Sequence, residues 1–422
     1  MHEEFWPSYG MAGGEAFYAG KAFLTTKVAQ WVLEEGMGID TASRGELAVS
    51  LAALQDVDGE EATTDATRLG LHGNGKTQAE IAVALTHHVG HLVLDSLEEV
   101  ANENPYPPSS KVKAILEGKT IAELRKYPSA DASVLRAALA ERVGLKSENV
   151  FCGNGSDDVL ATAFRAFFNS DKPILYPDIT YSFYPVWCEL LKIPYKTKSV
   201  DDDFVINIED FKEPNGGVVI PNPNAPTSLG VGEKFIRELL ENNQDSIVII
   251  DEAYVDFGRY SCVELVKEYD NLVVTQTFSK SRSLAGMRVG MAFASAELIS
   301  YMQAVKDSYN SYPLDQIAIE TAVASLSDED YFKATVEKVK ATRDRTAEKM
   351  REMGFNVLDS ETNFLFAQHE KLSAKEIFTY LRENGIFVRY FNKPRIDNFL
   401  RITIGTDEEM ELMIEKLSEI CK

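Results

Sequence analysis

The chain has 422 residues, of which 45% are hydrophobic, so it is long enough to fold into two or three domains with large apolar cores. A formal net charge of −23 argues against nucleic acid or an anionic membrane surface as the main binding partner. Four scattered cysteines, no visible signal peptide and no apolar run of about 20 residues predict a reduced, cytoplasmic protein without a membrane span.

The first hundred residues alternate short apolar runs, typical of strands, with helical patterns. The strand-like runs lie at 16–19, 37–40, 68–73 and 91–96. Alternation of this kind predicts parallel strands joined by crossover helices. Polar residues end the later runs, as in β/α barrels, which keep their chemistry at the carboxyl ends of the strands.

This N-terminal segment resembles the start of the diaminopimelate decarboxylase family, whose members are pyridoxal-phosphate enzymes with a β/α barrel. The resemblance covers about residues 5–100 and rests on four segments, 18–23, 38–47, 72–76 and 94–99. In that family the lysine at the position of Lys21 holds the cofactor. Four β/α units cannot close an eight-stranded barrel, which takes about 250 residues. We therefore expect an incomplete barrel fragment in which Lys21 is inactive.

Three histidines, His87, His88 and His91, have the composition of a metal cluster. No carboxylate or cysteine stands near them at the spacing of a metal site. We predict that these histidines lie at a solvated helix end and that the protein has no metal site.

The pattern changes abruptly at residues 99–102. Three of the four residues from 105 to 108 are prolines, which cannot lie inside a helix. We therefore predict three domains, at 1–100, 101–327 and 328–422. The last combines helical patterns with short strands and is predicted to be a small α/β domain.

Beyond this boundary, strand-like runs again alternate with helical patterns, and several runs end in polar residues. The runs lie at 149–152, 173–176, 217–220, 246–250 and 271–274. Because parallel strands end at one edge of a sheet, a ligand is expected at that edge. The glycine-rich turn 153–158 opens a helix, whose free N–H groups and dipole can bind an anion.

The stretch from 275 to 290 concentrates groups that suit an aldehyde cofactor with a phosphate. Lys280 can bond covalently to an aldehyde. Thr277 and Ser279 can hydrogen-bond phosphate oxygens, and Arg288 can bind the same phosphate through two N–H groups. Taken alone, the stretch is equally typical of a strand, a polar loop and a helix carrying a surface lysine.

Three residues elsewhere in the chain favour the cofactor interpretation. Asp251 ends an apolar strand, where a carboxylate can keep a pyridine nitrogen protonated. Tyr254 can reach the hydroxyl of the same ring, and Tyr181 can cover the face of the ring. With these partners Lys280 is predicted to hold the cofactor and to move protons.

Residues 101–422 resemble the fold-type I aminotransferases, and the histidinol-phosphate aminotransferase family in particular. The motifs that carry the resemblance lie at 102–106, 126–128, 155–157, 222–227, 251–254, 277–280, 284–290 and 400–405. The resemblance implies an α/β fold with a mostly parallel sheet in a large domain and a small C-terminal α/β domain. It also implies transamination of histidinol phosphate with 2-oxoglutarate in histidine biosynthesis. A related aminotransferase for aromatic or other amino acids, or a catalytically silent fusion, are the alternatives.

The resemblance further implies roles for individual residues. The implied catalytic residues are Lys280, Asp251 and Tyr254. Pyridoxal 5'-phosphate is bound by Lys280, Gly155, Ser156, Asp157, Tyr181, Asn224, Asp251, Tyr254, Thr277, Ser279, Arg288 and Tyr127. The substrate is bound by Tyr106, Arg389 and Arg401. In the family the tyrosine at the position of Tyr127 reaches the cofactor phosphate of the neighbouring subunit, so a homodimer is implied.

The chain departs from the family pattern at one position near the cofactor. Relatives usually carry asparagine immediately before Pro-Thr, where it bonds the ring hydroxyl, and here that residue is Ala225. Either Tyr254 makes the bond alone, or Asn222 or Asn224 substitutes. If nothing replaces it, loss of such a bond costs about 1 kcal/mol.

Overall fold

The structure is a computed structural model that describes residues 17–19, 25–34, 38–41, 44–58, 69–71, 91–92, 102–119 and 121–421. The chain divides into two compact units, Met1–Ala101 and Asn102–Lys422. The further division predicted at residue 327 stays a prediction. Lys21, His87 and His88 lie outside the described residues, as does the side chain of His91.

The first unit contains a four-stranded parallel sheet in the order β1-β2-β3-β4. Its elements are β1 (Phe17–Ala19), α1 (Thr26–Glu34), β2 (Gly38–Thr41), α2 (Arg44–Asp58), β3 (Leu69–Leu71) and β4 (His91–Leu92). Each helix connects two parallel strands, and its apolar side chains pack on the sheet around the fully buried Ile39 and Leu69. This open sheet agrees with the predicted incomplete β/α-barrel fragment.

The second unit is built on a seven-stranded central sheet in the order β5-β11-β10-β9-β8-β6-β7. Its strands are β5 (Val150–Asn154), β6 (Ile174–Pro177), β7 (Tyr195–Lys198), β8 (Gly217–Pro221), β9 (Val248–Asp251), β10 (Leu272–Thr277) and β11 (Val289–Ala294). All pairings are parallel except those of β11 with β10 and β5. The mostly parallel sheet predicted from the sequence is therefore confirmed.

Helices cover both faces of the central sheet, as its fully buried strands β6, β8, β9, β10 and β11 require. These helices are α3 (Ser110–Gly118), α4 (Ser133–Val143), α5 (Gly155–Phe167), α6 (Phe183–Leu191), α7 (Glu233–Asn242), α8 (Ala296–Asp307) and α9 (Gln316–Leu326). Alternate residues of one strand enter different cores: Ile250 joins the core under α4 and α7, and Ile249 joins the core under α5 and α6. None of the described helices is long and apolar enough to cross a membrane.

A second, C-terminal sheet follows in the order β12-β13-β15-β14, with antiparallel pairing throughout. Its elements are α10 (Glu329–Glu352), β12 (Phe355–Val357), β13 (Phe364–His369), α11 (Ala374–Glu383), β14 (Arg389–Tyr390), β15 (Leu400–Thr403) and α12 (Asp407–Ile420). The sequence sets two helix starts locally, because Ser373 and Thr406 form capping boxes with the glutamates three residues later.

Two features of the central sheet differ from the sequence-based expectations. Residues 289–294 form β11, a strand that the predicted runs did not include, and its antiparallel direction interrupts the parallel series. The helix α5 begins at Gly155, inside the turn that was predicted to precede it. Direction of pairing is set by the neighbouring strands and not by local apolar pattern, which explains the first difference.

Candidate active site

A cavity of about 120 Å³ opens at the carboxyl ends of β8, β9 and β10. Eight of the predicted site residues line it: Ser156, Asp157, Tyr181, Asp251, Tyr254, Ser279, Lys280 and Arg288. The remaining lining residues are Pro221, Pro223, Ala225 and Ala253. Residues from four separate parts of the second unit therefore meet at the sheet edge where a ligand was expected.

One end of the cavity is a cradle for an anion. The helix α5 begins here at Gly155, whose φ of +84° is a conformation that favours glycine. A Cβ at Gly155 would lie 2.3 Å from Nη2 of Arg288, so a side chain there would displace the guanidinium. The same guanidinium lies 3.6 Å from the carboxylate of Asp157. The helix N-terminus, Arg288 and the nearby Ser279 together offer several donors to a phosphate.

Thr277 supports this cradle from behind instead of lining it. Its hydroxyl lies 3.0 Å from Oγ of Ser279 and accepts a hydrogen bond from the Ser279 N–H at 3.1 Å. It also lies 3.2 Å from the Val289 carbonyl of β11. The structure therefore places Thr277 where it orients Ser279, and not at the cavity wall as the sequence predicted.

Asp251 also lines the cavity, at the end of β9, and is 6% exposed. Tyr184 donates a hydrogen bond to Oδ2 at 2.8 Å, and Thr275 donates a longer one to Oδ1 at 3.3 Å. Burial raises the pKa of this carboxyl group to about 6, although both hydrogen bonds act to lower it. At neutral pH the group is therefore an anion buried beside the cavity, as a protonated ring nitrogen requires.

Lys280 and Tyr254 line the same cavity. Nζ of Lys280 donates to the carbonyl oxygen of Asn102 at 3.2 Å and lies 5.4 Å from the centre of the Tyr254 ring. Burial acts to raise the pKa of Tyr254, but the charges of Lys280 and Arg401 and a hydrogen bond from Asn102 lower it overall. The phenol hydroxyl is thus placed among groups that favour its anion.

Tyr181 also takes the predicted position. Its ring lines the cavity, and its hydroxyl donates to Oδ1 of Asp157 at 2.8 Å. Burial and the neighbouring Asp157 charge raise the pKa of Tyr181, so the hydroxyl remains a donor. This bond holds the ring against the cavity while it fixes the side chain at the start of α5.

The structure does not bring Asn224 to the cavity. Its amide donates to the Ile179 carbonyl at 2.9 Å and to Oγ1 of Thr227 at 3.0 Å, and it does not line the cavity wall. Asn222 is engaged as well, because its Oδ1 accepts a hydrogen bond from the Val231 N–H at 2.8 Å. Oδ1 of Asn224 is buried without a hydrogen-bond partner among the described residues, so cofactor binding by Asn224 stays a prediction, and Tyr254 is the candidate for the ring hydroxyl that lines the cavity.

The four remaining predicted residues lie away from the cavity wall. Arg389 and Arg401 are register partners on β14 and β15, and Arg401 is near enough to Tyr254 to lower the pKa of that phenol. Tyr106 lies in the C-terminal core with the Lys338 ammonium 4.3 Å from its ring centre. Tyr127 is 83% exposed and stacks on Tyr312 at 4.8 Å.

Two residues near the site were missed by sequence reasoning. Tyr184 bonds Asp251, and its position one helical turn after Tyr181 was the available signal. Asn102 touches Lys280 and Tyr254. It begins the motif 102–106, which marked the family but suggested no contact.

This donor set fits pyridoxal 5'-phosphate. The glycine cradle, Arg288 and Ser279 suit the phosphate, and the buried Asp251 suits the ring nitrogen. Lys280 lines the same cavity and would supply the amine for the aldehyde, and Tyr181 would cover the ring. The arrangement can therefore hold a cofactor that stabilises negative charge on a bound amine substrate.

Comparison with family models agrees with this assignment. The model described as aminotransferase class I and II matches residues 100–417. The model described as pyridoxal-dependent decarboxylase, pyridoxal binding domain, matches residues 4–118. The second match covers the segment in which the sequence resembles a decarboxylase, and the two matches overlap only around the predicted boundary.

Curated relatives and solved structures give the same family. The histidinol-phosphate aminotransferase of Lactococcus lactis subsp. cremoris strain MG1363 is 51% identical over 78% of this chain and 92% of the relative. That of Acinetobacter baylyi is 53% identical over 75% of this chain and 88% of the relative.

The fold is similar to that of histidinol-phosphate aminotransferase from Sinorhizobium meliloti in complex with pyridoxal-5'-phosphate, with a TM-score of 0.70. That structure is 24% identical and matches 76% of this chain and 89% of its own. This protein therefore belongs to the class I and II aminotransferases, the family of pyridoxal-phosphate enzymes that includes these histidinol-phosphate aminotransferases.

Proposed function

We propose that this protein transfers an amino group between L-histidinol phosphate and 2-oxoglutarate, giving imidazole-acetol phosphate and L-glutamate, in histidine biosynthesis. The observation that carries the proposal is that Lys280, an anion cradle and the buried Asp251 line one cavity. The names of the curated relatives, at about half identity over most of the chain, support the substrate.

Different residues of the cavity bind the phosphate and the ring of the cofactor. The N-terminus of α5, Ser279 and Arg288 hold the cofactor phosphate, and Tyr181 covers the ring. Asp251 keeps a proton on the ring nitrogen, and Tyr254 donates to the ring hydroxyl. When bound, pyridoxal phosphate supplies the electron sink that makes the substrate α-carbon acidic.

Lys280 carries out the proton transfer. Its Nζ takes the proton from the α-carbon of the amino donor. In the second half-reaction it gives a proton to the α-carbon of the newly formed amino acid. The cation–π contact with Tyr254 and the hydrogen bond to the Asn102 carbonyl hold the amine in the cavity. No other described lysine lines this cavity.

Arg389 and Arg401 are proposed to bind the substrate anion. Because they are register partners on adjacent antiparallel strands, their side chains share one face of the C-terminal sheet. A guanidinium can fork onto either a carboxylate or a phosphate, so the same pair can serve glutamate and histidinol phosphate in turn.

A homodimer in the cytoplasm is the proposed state of the protein. The family resemblance places Tyr127 at the partner's cofactor phosphate, and Tyr127 is 83% exposed in one chain. Tyr106 is proposed to contact substrate from the same segment. The three-domain division, with the C-terminal domain closing on the cavity, is part of this proposal.

The test compares Lys280→Ala with Lys21→Ala in the full chain. Glutamate formation from 2-oxoglutarate and histidinol phosphate is measured with pyridoxal phosphate present, alongside the visible absorption of the bound cofactor. We expect Lys280→Ala to lose the band and at least about 10²–10⁴-fold in rate. Lys21→Ala should retain both.

Two outcomes would contradict the proposal. Loss of activity in Lys21→Ala with retention in Lys280→Ala would assign catalysis to the N-terminal unit. Faster amino transfer from phenylalanine or tyrosine than from histidinol phosphate would assign the alternative substrate class.

A further inference from the structure

A buried tyrosine behind the cavity bonds directly to the carboxylate that faces the ring nitrogen. Tyr184 lies in the first turn of α6 and is completely buried. Its hydroxyl donates to Oδ2 of Asp251 at 2.8 Å, and the two residues are 67 positions apart in the chain. The bond therefore links the helix α6 to the end of β9.

The other partners of Asp251 are weaker. Thr275 reaches Oδ1 at 3.3 Å, near the long limit for a hydrogen bond, and the Ala253 N–H also contributes. The hydrogen bond from Tyr184 is the shortest one that a side chain makes to Asp251. Because an O–H group that donates to a carboxylate stabilises the negative charge, this bond favours the ionised form of Asp251. Without it, the buried carboxylate would lose its shortest hydrogen bond from a side chain.

The aromatic cluster around Tyr184 fixes where its hydroxyl points. The ring is flanked by Tyr181 at 5.7 Å, Trp187 at 6.2 Å and Phe164 at 6.2 Å between ring centres. Packed on these sides, the phenol has little freedom to turn away from Asp251. Burial and the Asp251 charge raise the pKa of Tyr184, so it remains a donor.

We propose that Tyr184 is a positioning residue for Asp251, holding the carboxylate oriented toward the cavity and ionised. This inference rests on the proposed role of Asp251 at the cofactor ring nitrogen. Tyr184 does not line the cavity, so it acts on the cofactor only through Asp251.

The chain offers a closely matched control. Tyr176 is 2% exposed, and its ring lies 5.7 Å from that of Tyr184 in the same cluster. Its buried hydroxyl has no hydrogen-bond partner among the described residues. Tyr176→Phe therefore removes the same atom from the same core without touching Asp251.

Other titratable groups around Asp251 are common to both variants. Asp157 at the start of α5 acts to raise the pKa of Asp251. The phenols of Tyr181 and Tyr254 couple to Tyr184 and are also affected by the Asp251 charge. Since neither substitution changes these groups, a difference between the variants reports the bond to Asp251.

The experiment uses the full chain as wild type, Tyr184→Phe, Tyr176→Phe and Asp251→Asn. The dissociation constant of pyridoxal phosphate is measured by fluorescence titration above and below the pH of about 6 at which Asp251 titrates. Protonation of the Asp251 carboxyl is followed in the cofactor-free protein by its infrared C=O band, assigned by its absence in Asp251→Asn.

For Tyr184→Phe we expect the carboxyl protonation midpoint to rise by about one unit or more, because a donor to the charged form is lost. Cofactor binding at neutral pH should weaken by about tenfold. Tyr176→Phe should stay within about twofold of wild type, the limit set by a small change in packing. Thermal melts of the two variants establish that both fold.

The results separate the inference from the function on which it rests. Equal midpoints and equal affinities in Tyr184→Phe and Tyr176→Phe would overturn the positioning role, provided Asp251→Asn binds the cofactor weakly. Wild-type cofactor affinity in Asp251→Asn would instead show that Asp251 does not face the ring nitrogen, which removes the basis of the proposal.

Discussion

At the scale of single residues, the anion cradle depends on two glycines that touch. A Cβ on Gly290 would lie 2.4–2.6 Å from backbone atoms of Gly155 and Ser156, which no side-chain rotation can relieve. The contact places β11 directly against the start of α5, and with it Arg288, which immediately precedes β11. The cradle therefore needs the absence of a side chain as much as it needs the arginine.

We predict that Gly290→Ala opens this cradle. The backbone at Gly155 and Ser156 must shift to admit the methyl group, at a cost of about 1–3 kcal/mol in the free energy of unfolding. The displaced N–H groups should also weaken pyridoxal phosphate binding. Urea unfolding and fluorescence titration of the cofactor measure the two effects.

Gly286→Ala is the matched control for that prediction. Gly286 lies in the same stretch of chain, and a Cβ there meets no atom within 4 Å. Its stability and cofactor affinity should equal those of wild type. If Gly290→Ala behaved like Gly286→Ala, the close approach of β11 to α5 would not be needed for the cradle.

At the scale of elements, the segment 102–104 joins the lysine loop to the C-terminal sheet. Asn102 donates to Oδ1 of Asn363 at 2.7 Å and accepts from Thr403 at 2.8 Å. Asn104 donates to the backbone carbonyls of Lys280 and Ser281 at 3.2 and 3.3 Å. These bonds fix the loop that carries the catalytic amine relative to β13 and β15.

Asn102→Ala should loosen this connection. It leaves the buried Asn363 oxygen and Thr403 hydroxyl without their partner, which costs about 1–3 kcal/mol for each unsatisfied group. Removal of the hydrogen bond to Tyr254 should also raise the pKa of that phenol. Urea unfolding and a spectrophotometric titration of tyrosine detect these changes.

Asn149→Ala serves as the comparison. Asn149 donates to the Ala294 carbonyl at 3.0 Å, accepts a longer bond from the Lys146 N–H at 3.3 Å, and lies outside the cavity wall. It should lower stability by about 1 kcal/mol and leave the titration of Tyr254 unchanged. An unchanged titration in Asn102→Ala as well would remove the proposed link between Asn102 and Tyr254.

At the scale of the whole molecule, an aromatic surface marks the proposed contact between two copies. Tyr127 is 83% exposed and stacks on Tyr312, which is 44% exposed, while Leu124 on the same segment is 61% exposed. Large apolar side chains grouped at a surface are typical of protein interfaces. Burial of this surface in a homodimer would remove it from water.

We predict that Tyr127→Ala weakens the homodimer. Truncation of a central aromatic side chain costs about 2 kcal/mol or more at an interface, which is at least tenfold in the dissociation constant. Sedimentation equilibrium of the full chain measures the dimer dissociation constant. Leu412→Ala is the control, because Leu412 lies on α12 and is 50% exposed. A monomeric wild-type protein would refute the proposed dimer.

The fold and much of the cavity could be predicted from the sequence. Lys280, Asp251 and Tyr254 were found because each follows a strand-like run, and parallel strands bring such positions to one edge. The alternation of apolar strands and helices also predicted a mostly parallel sheet, because burial on both faces leaves continuous apolar runs.

The predictions for Asn224 and Thr277 show where this reasoning stops. Both asparagines near Ala225 were candidates, but the spacing of residues does not say which way an amide points in a turn. Contacts with Ile179, Thr227 and Val231 engage the amide nitrogen of Asn224 and the amide oxygen of Asn222. Thr277 lies at the strand end that the sequence predicted, but its hydroxyl is engaged by hydrogen bonds with Ser279 and with the Val289 carbonyl of β11.

The sequence by itself therefore determined the elements, the sheet edge that carries the chemistry and the identity of its reactive groups, because these depend on local periodicity and residue type. Only the tertiary structure decided the direction of β11, the contact of Gly290 with Gly155 and the partners of Asp251 and Asn102. Asn102 and Thr403 are 301 positions apart. No local pattern encodes such a pair, because its geometry is fixed only when the elements between them pack.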